Sequence, residues 1–331
     1  MNIIAYTYSY PPYRHVGSEL TTADYLEHLA AVGYNVHVYS EHVQSGYVRN
    51  GVYVHAWSTV DWGSFNSNLW DVFITHPELR FKVWPHVQGI PYIALVHNAR
   101  SETLLSLQRV EPDLVIANSH ETAMHVKPLL TPIDMAAARV YVLHPPLLAQ
   151  QNPPGYVPEY TRSAYTAVGL SVDKGGDTFL NIAEQNPDLS FRAVKGGYGM
   201  QLTNFVPPNV HVLPHTTPEH MNYVYSRARA VLVPSRSESY CKVVAEALFQ
   251  GVPVIASNLP AIREVGGDYI TYVDADDEDA WGDRVREMED PRRHTMMADL
   301  AYQRGQHLAR ETIDTLEAWA QAVACIHIPK G

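Results

Sequence analysis

Cysteine is almost missing: Cys241 and Cys325 are the only two in 331 residues, too few for a disulfide framework, and a reducing compartment suits them. No apolar run approaches the roughly 20 residues of a membrane span. Met1-Asn2-Ile3-Ile4-Ala5 enters a strand without the basic stretch of a signal peptide, so a cytoplasmic protein is expected. Positive charge is in deficit. Lys and Arg number 24 against 35 Asp and Glu, and the net charge of −11 argues against a protein that holds duplex DNA by neutralising phosphates. Repeats and low-complexity tracts are absent. What remains is an ordinary globular balance, 46% hydrophobic and 18% charged, in a chain long enough for two cores.

Histidine is plentiful, at 17 residues, and invites a metal reading. His120-Glu121-Thr122-Ala123-Met124-His125 superficially resembles a zinc-protease helix, but its histidines are five positions apart, which turns them about 140° from each other on a helix. The acidic run Asp274-Ala275-Asp276-Asp277-Glu278-Asp279 lies between a strand and Ala280-Trp281, where carboxylates cap a helix N-terminus. No metal site is expected from either.

Strand-like and helical runs alternate throughout, the pattern of parallel sheets covered on both faces. In the first half the strands are expected at residues 2–6, 35–39, 52–55, 72–75, 92–96, 114–117 and 140–143. Leu20, Ala23, Leu26, Leu29 and Ala30 form the apolar stripe of a helix with Ser18 as a plausible cap and Gly33 as its stop. The proline-rich passage from His144 to Pro158 can continue neither helix nor central strand and marks a boundary. Strands resume at 165–168, 189–194, 210–213, 231–234, 254–256 and 270–273. The expected class is therefore α/β, with two Rossmann-like domains, 1–150 and 151–309, facing across a cleft. A terminal helix is expected at about 310–326, carrying Ile313, Leu316, Trp319 and Val323.

The chemistry concentrates in Ser235-Arg236-Ser237-Glu238-Ser239-Tyr240-Cys241-Lys242-Val243-Val244-Ala245-Glu246. The two glutamates are eight positions apart, one before an apolar helix and one inside it, about 12 Å by helix rise. The helix N-terminus between them offers N–H groups and a positive dipole end to an anion. A nucleoside diphosphate-sugar fits: sugar hydroxyls at Glu238, diphosphate over the amides of Tyr240, Cys241, Lys242 and Val243, ribose at Glu246. With the continuation Phe249-Gln250-Gly251-Val252-Pro253-Val254-Ile255, the segment resembles the signature of family 4 retaining nucleotide-sugar glycosyltransferases. The resemblance runs from about residue 165 to 285 and is weaker upstream.

That resemblance implies the GT-B fold, with the acceptor bound by the first domain, the donor by the second, and the terminal helix at about 310–326 packed back on the first domain. It implies a metal-free hexosyl transfer with retained configuration and no cofactor beyond the sugar nucleotide, UDP-glucose by default. Glu238 then holds the sugar's 3- and 4-hydroxyls, and Lys174, in Gly169-Leu170-Ser171-Val172-Asp173-Lys174-Gly175, meets the departing diphosphate. The family's arginine in this loop is missing; Lys242 or Arg236 is the candidate replacement. His97 after strand 92–96 is placed by the resemblance against the donor sugar, and Gly17 beside the diphosphate. Tyr13, Arg14 and His15 are candidate acceptor contacts. The acceptor stays open among a glycan, a lipid carrier, a protein side chain and a modified nucleobase. A nucleotide-sugar 2-epimerase on the same fold, or a binding protein without turnover, are the alternatives.

Overall fold

The computed structural model describes residues 1–13, 16–109, 112–130, 139–147 and 162–326. The chain divides into two compact units, Met1–Pro146 with Thr312–Gly331, and Leu147–Glu311.

In the first unit an eight-stranded sheet is ordered β3-β4-β2-β1-β5-β6-β7-β8. Its strands are β1 (Asn2–Thr7), β2 (Asn35–Ser40), β3 (Tyr47–Arg49), β4 (Val52–Ala56), β5 (Val72–Thr75), β6 (Tyr92–Val96), β7 (Leu114–Ala117) and β8 (Arg139–Val142). All neighbours are parallel except the β3–β4 edge pair. Continuous apolar runs such as Tyr92–Val96, buried at every position, are what a parallel strand covered on both faces requires. One face packs Ile4, Tyr6, Phe73, Tyr92, Ala94 and Val115 against Val83, Val87, Leu107 and Val126. These last come from α2 (Arg80–Val87), α3 (Ser101–Gln108) and α4 (His120–Val126).

Helix α1 (Gly17–Ala31) buries Ala23, Tyr25, Leu26 and Leu29. Its cap differs from expectation. Val16 is the N-cap, without a side-chain bond, and Ser18 lies in the first turn, donating to Glu19 Oε2 at 2.6 Å. Helical backbone begins already at Gly17, which places Ser18 inside the first turn, too late to cap it.

In the second unit six parallel strands are ordered β11-β10-β9-β12-β13-β14. They are β9 (Ala164–Val168), β10 (Ser190–Val194), β11 (Val210–Leu213), β12 (Ala228–Val233), β13 (Val254–Ser257) and β14 (Thr271–Val273). The central strand β12 sends Val231 and Val233 into one core and Ala230 and Leu232 into the other, following the two-residue period of a strand. Helices α5 (Gly176–Gln185), α6 (Pro218–Ser226), α7 (Lys242–Phe249), α8 (Pro260–Gly266) and α9 (Glu278–Glu287) cover the sheet. Asp277 caps α9 by accepting from Ala280 N at 3.0 Å, which accounts for one of the acids in the 274–279 run.

The terminal helix α10 spans Pro291–Ile326 without a break. In the second unit its Arg304 donates to the carbonyls of Val265 and Glu264. In the first, fully buried Trp319 donates through Nε1 to the Tyr25 carbonyl at 3.0 Å and lies 5.5 Å from the Tyr25 ring. Among the described residues no helix is long and apolar enough to cross a membrane.

Candidate functional site

Two segments of the second unit meet at the C-terminal end of β12. After β9 the chain turns through Gly169 to Gly175 and enters α5; after β12 it passes Pro234 to Cys241 and enters α7. Gly175 makes the meeting possible. Its φ is +67°, and a Cβ there would lie 1.9 Å from the Pro234 carbonyl oxygen, so only glycine lets the backbones abut. The neighbouring residue is thereby delivered to the acid: Lys174 donates through Nζ to Glu238 Oε1 at 2.8 Å. Ser235, itself buried, donates its hydroxyl to the same oxygen at 2.8 Å.

The sequence-derived pair Lys174 and Glu238 thus forms one charged group. Glu238 is well buried, its side chain 8% exposed, whereas the Lys174 side chain is 43% exposed. Arg236 stands elsewhere. Its guanidinium grips Asp177 with two bonds of 2.7 and 2.8 Å and donates to the Val172 carbonyl, holding the two segments together. Arg236 is thus engaged by Asp177 as Lys174 is by Glu238; both it and Lys242, half-buried as the first residue of α7, stand as candidates for the part of the missing diphosphate arginine.

Cys241 is the N-cap of α7 and holds φ +73°, one of two non-glycine residues with positive φ among those described. A buried side chain in this region carries strain of about 1–3 kcal/mol, which persists where the surroundings fix it. Burial first, then the Glu238 carboxylate, push the Cys241 thiol well above its ordinary range, so it stays protonated and makes a side-chain hydrogen bond to Glu238. Intrahelical bonding starts with Val244 N donating to Cys241 O at 3.1 Å. Tyr240 is buried against α10, its hydroxyl raised by burial and by Glu311, and Val243 is half-buried in the first turn.

Glu246 lies one turn into α7 and accepts at Oε2 from the Tyr225 hydroxyl at 2.8 Å. Tyr225 is fully buried, and burial, then Glu246, raise its phenol far out of reach of titration. The phenol therefore remains a donor and fixes the carboxylate. Gln201 stitches the outer loops: its Oε1 accepts from Leu170 N at 2.8 Å and Gly196 N at 2.9 Å.

In the first unit, Gly17 opens α1 and accepts from the Thr21 hydroxyl, while His97 follows β6. The His97 carbonyl accepts from Asn118 Nδ2 at 3.0 Å, and its Nε2 lies 3.3 Å from Thr22 Oγ1. Ser119 caps α4, its hydroxyl accepting from Thr122 N at 2.9 Å. Tyr13 is 43% exposed, 6.0 Å from the Tyr47 ring. Arg14 and His15 lie outside the described residues.

Residues 202–304, which include both glutamates, match the family described as "Glycosyl transferases group 1". The chain carries a group 1 glycosyltransferase domain. D-inositol 3-phosphate glycosyltransferase of Corynebacterium aurimucosum is 24% identical over 287 residues, covering 74% of this chain; the chain spans 65% of that relative. Sucrose-phosphate synthase from Thermosynechococcus elongatus superposes with a TM-score of 0.78 at 16% identity, over 98% of this chain and 99% of that one. Anabaena HepE in complex with UDP-glucose gives 0.76 at 13% identity, over 98% and 100%. The fold is thus the expected GT-B pairing of two parallel-sheet α/β domains.

Four supporting residues of this glycosyltransferase domain and its companion unit escape sequence reading. Ser235, at the head of the motif, holds Glu238 three positions on, while Tyr225 and Gln201 act on the motif residues from outside any recognisable spacing. His76 does carry a signal: it follows β5 as His97 follows the adjacent β6, so two parallel strands end in histidine side by side, with rings 4.8 Å apart.

Proposed function

We propose that the protein is a cytoplasmic, retaining family 4 glycosyltransferase that moves a hexose from a nucleoside diphosphate-sugar, UDP-glucose by default, onto an acceptor without a metal. The observation that carries this reading is the Lys174–Glu238 pair beside the N-terminus of α7, with Glu246 fixed one turn further on. A hydroxyl-rich sugar is held by a carboxylate that accepts hydrogen bonds, and a diphosphate by an ammonium and first-turn amides. As the glycosidic bond breaks, charge grows on the diphosphate, and Lys174 stabilises it more than it stabilises the ground state. Glu246, already oriented by Tyr225, takes the ribose. His97 and Gly17 belong to the donor side of the first unit, and Tyr13, Arg14 and His15 to the acceptor.

A thermal-shift panel of nucleoside diphosphate-sugars tests it. A donor present at 100 times its dissociation constant adds about 2.7 kcal/mol. A shift with UDP-glucose or a related donor, and transfer that survives excess EDTA, are expected; no shift across the panel refutes the reading. A binding protein without turnover is the second reading, favoured by the commitment of Arg236 to Asp177. Donor hydrolysis or transfer dismisses it.

A further inference from the structure

The side-chain amide of a glutamine has two lone pairs and two N–H donors, and in Gln201 all four meet backbone. Its Oε1 accepts from Leu170 N at 2.8 Å and Gly196 N at 2.9 Å, and its Nε2 donates to the Tyr198 and Gly199 carbonyls at 2.8 and 3.3 Å. Only one orientation of the amide satisfies these contacts; turned over, it would oppose donors to donors and carbonyls to carbonyls. The next residue adds a further bond, from Leu202 N to the Leu170 carbonyl at 2.9 Å. Leu170 and Gly196 lie just beyond the ends of β9 and β10, neighbouring parallel strands in register at Val168 and Val194. Gln201 therefore staples together the two turns that leave these strands.

Those turns lead to Lys174 through close packing. A Cβ on Gly196 would lie 3.3 Å from the Gly169 Cα and 3.4 Å from Gln201 Nε2, so the amide and the two glycines are stacked. On Gly169, which holds φ +89°, a Cβ would meet Lys174 Cγ at 3.3 Å: the lysine stem lies across the bare glycine. Beyond that stem the ammonium reaches Glu238 Oε1 at 2.8 Å. A four-carbon stem that is half-exposed has many rotamers, and a rigid floor beneath it limits them.

We infer that Gln201 is a positioning residue: it fixes the glycine floor under Lys174 and so sets where the ammonium meets a departing diphosphate. Because the amides of Leu170 and Gly196 are taken up by Gln201, the cation and not these N–H groups answers the phosphate charge on this side of the site. The diphosphate rests on the glycosyltransferase reading; the placement of the lysine against Glu238 does not.

Gln201→Met keeps the length of the side chain and removes all four bonds. Urea unfolding of the Lys174→Met and Glu238→Gln cycle reads the placement without substrate: in a Gln201→Met background the coupling between the two falls by at least half. In turnover of UDP-glucose, or of the donor that the thermal-shift panel selects, Gln201→Met loses about tenfold in kcat, part of the 10²–10³ that one transition-state donor supplies, and loses nothing more once Lys174 is replaced by Met. Gly196→Ala presses on the same stack from the other side and takes the place of Gln201→Met should that variant not fold, with the same dependence on Lys174 expected. An unchanged coupling, a kcat within about twofold of wild type, or a loss that adds to that of Lys174→Met overturns the inference. If the coupling falls as stated and the wild type turns over no sugar nucleotide, the clamp stands and the glycosyltransferase reading fails.

Discussion

Replacing Lys174 by Met removes the cation from Glu238 while keeping the side-chain stem. At 2.8 Å two unit charges attract by about 6 kcal/mol at an effective dielectric of about 20, an upper bound before desolvation and screening. The half-exposed ammonium places the pair between surface pairs, worth about 0.2–1 kcal/mol, and interior pairs, whose breaking costs about 3–5. Lys174→Met should therefore cost about 1.5–2.5 kcal/mol. Glu238→Gln, which keeps a carbonyl for the Ser235 hydroxyl, should cost about 1. Because the two changes remove one shared interaction, the double mutant should fall short of the sum by about 1–1.5 kcal/mol. Urea unfolding of the four proteins measures this cycle. The same proteins titrated with UDP separate the functional roles: Lys174→Met weakens UDP binding, whereas Glu238→Gln binds UDP at least as tightly as wild type, because the lysine is released from a competing carboxylate, and weakens UDP-glucose relative to UDP, because the sugar contact is lost. Additivity within about 0.5 kcal/mol, or a Glu238→Gln protein that binds UDP poorly, would refute the reasoning.

Gly175→Ala forces a Cβ to within 1.9 Å of the Pro234 carbonyl in a left-handed backbone, so we expect a loss of more than about 3 kcal/mol, or no soluble protein, in thermal unfolding; a variant of wild-type stability would contradict the described approach. Glu246→Gln turns a charge-assisted bond into a neutral one and should weaken UDP itself by about tenfold in calorimetry; a defect seen only with the sugar attached would move this glutamate away from the ribose. Burial lowers His37 and His55, whose Nδ1 and Nε2 lie 2.9 Å apart, and the adjacent charge of His55 lowers His37 further. Their folded forms resist protonation while the unfolded chain protonates near pH 6.5, so their stabilisation is complete above about pH 6.5 and declines below it; unfolding temperatures at pH 7.5 and 5.5 should show the drop, reduced in His37→Phe, and an unchanged drop in that variant would exclude the pair.

Much of the fold was legible because parallel strands buried on both faces must be continuous apolar runs. Val72–Thr75, Tyr92–Val96, Leu114–Ala117 and Val210–Leu213 have the bounds their residues imply. Strand β3 has no such run, since Tyr47–Arg49 is an edge segment with a partly exposed pattern, and only its pairing with β4 defines it. The separate helix expected near residue 310 is the end of the longer α10: no proline or glycine stop separates Pro291 from Ile326 strongly enough to break it. Gly305 in its middle sits where Leu248 leaves no room for a Cβ.

By itself the sequence determined the alternation that gives two α/β sheets, and it named the Glu238 to Glu246 segment and Lys174 as chemistry. Both follow from local facts: periodicity, a strand-to-helix turn, and residue type. Tertiary structure alone decided who holds those groups in place. Lys174 reaches Glu238 because Gly175 lets two distant backbones touch, Arg236 is claimed by Asp177, Tyr225 fixes Glu246, and His76 meets His97 through Thr22. None of these partners is near its counterpart along the chain by any helical or strand period. Their juxtaposition comes from neighbouring parallel strands ending together, and strand order in a sheet is written in long-range packing, not in the residues of any one strand.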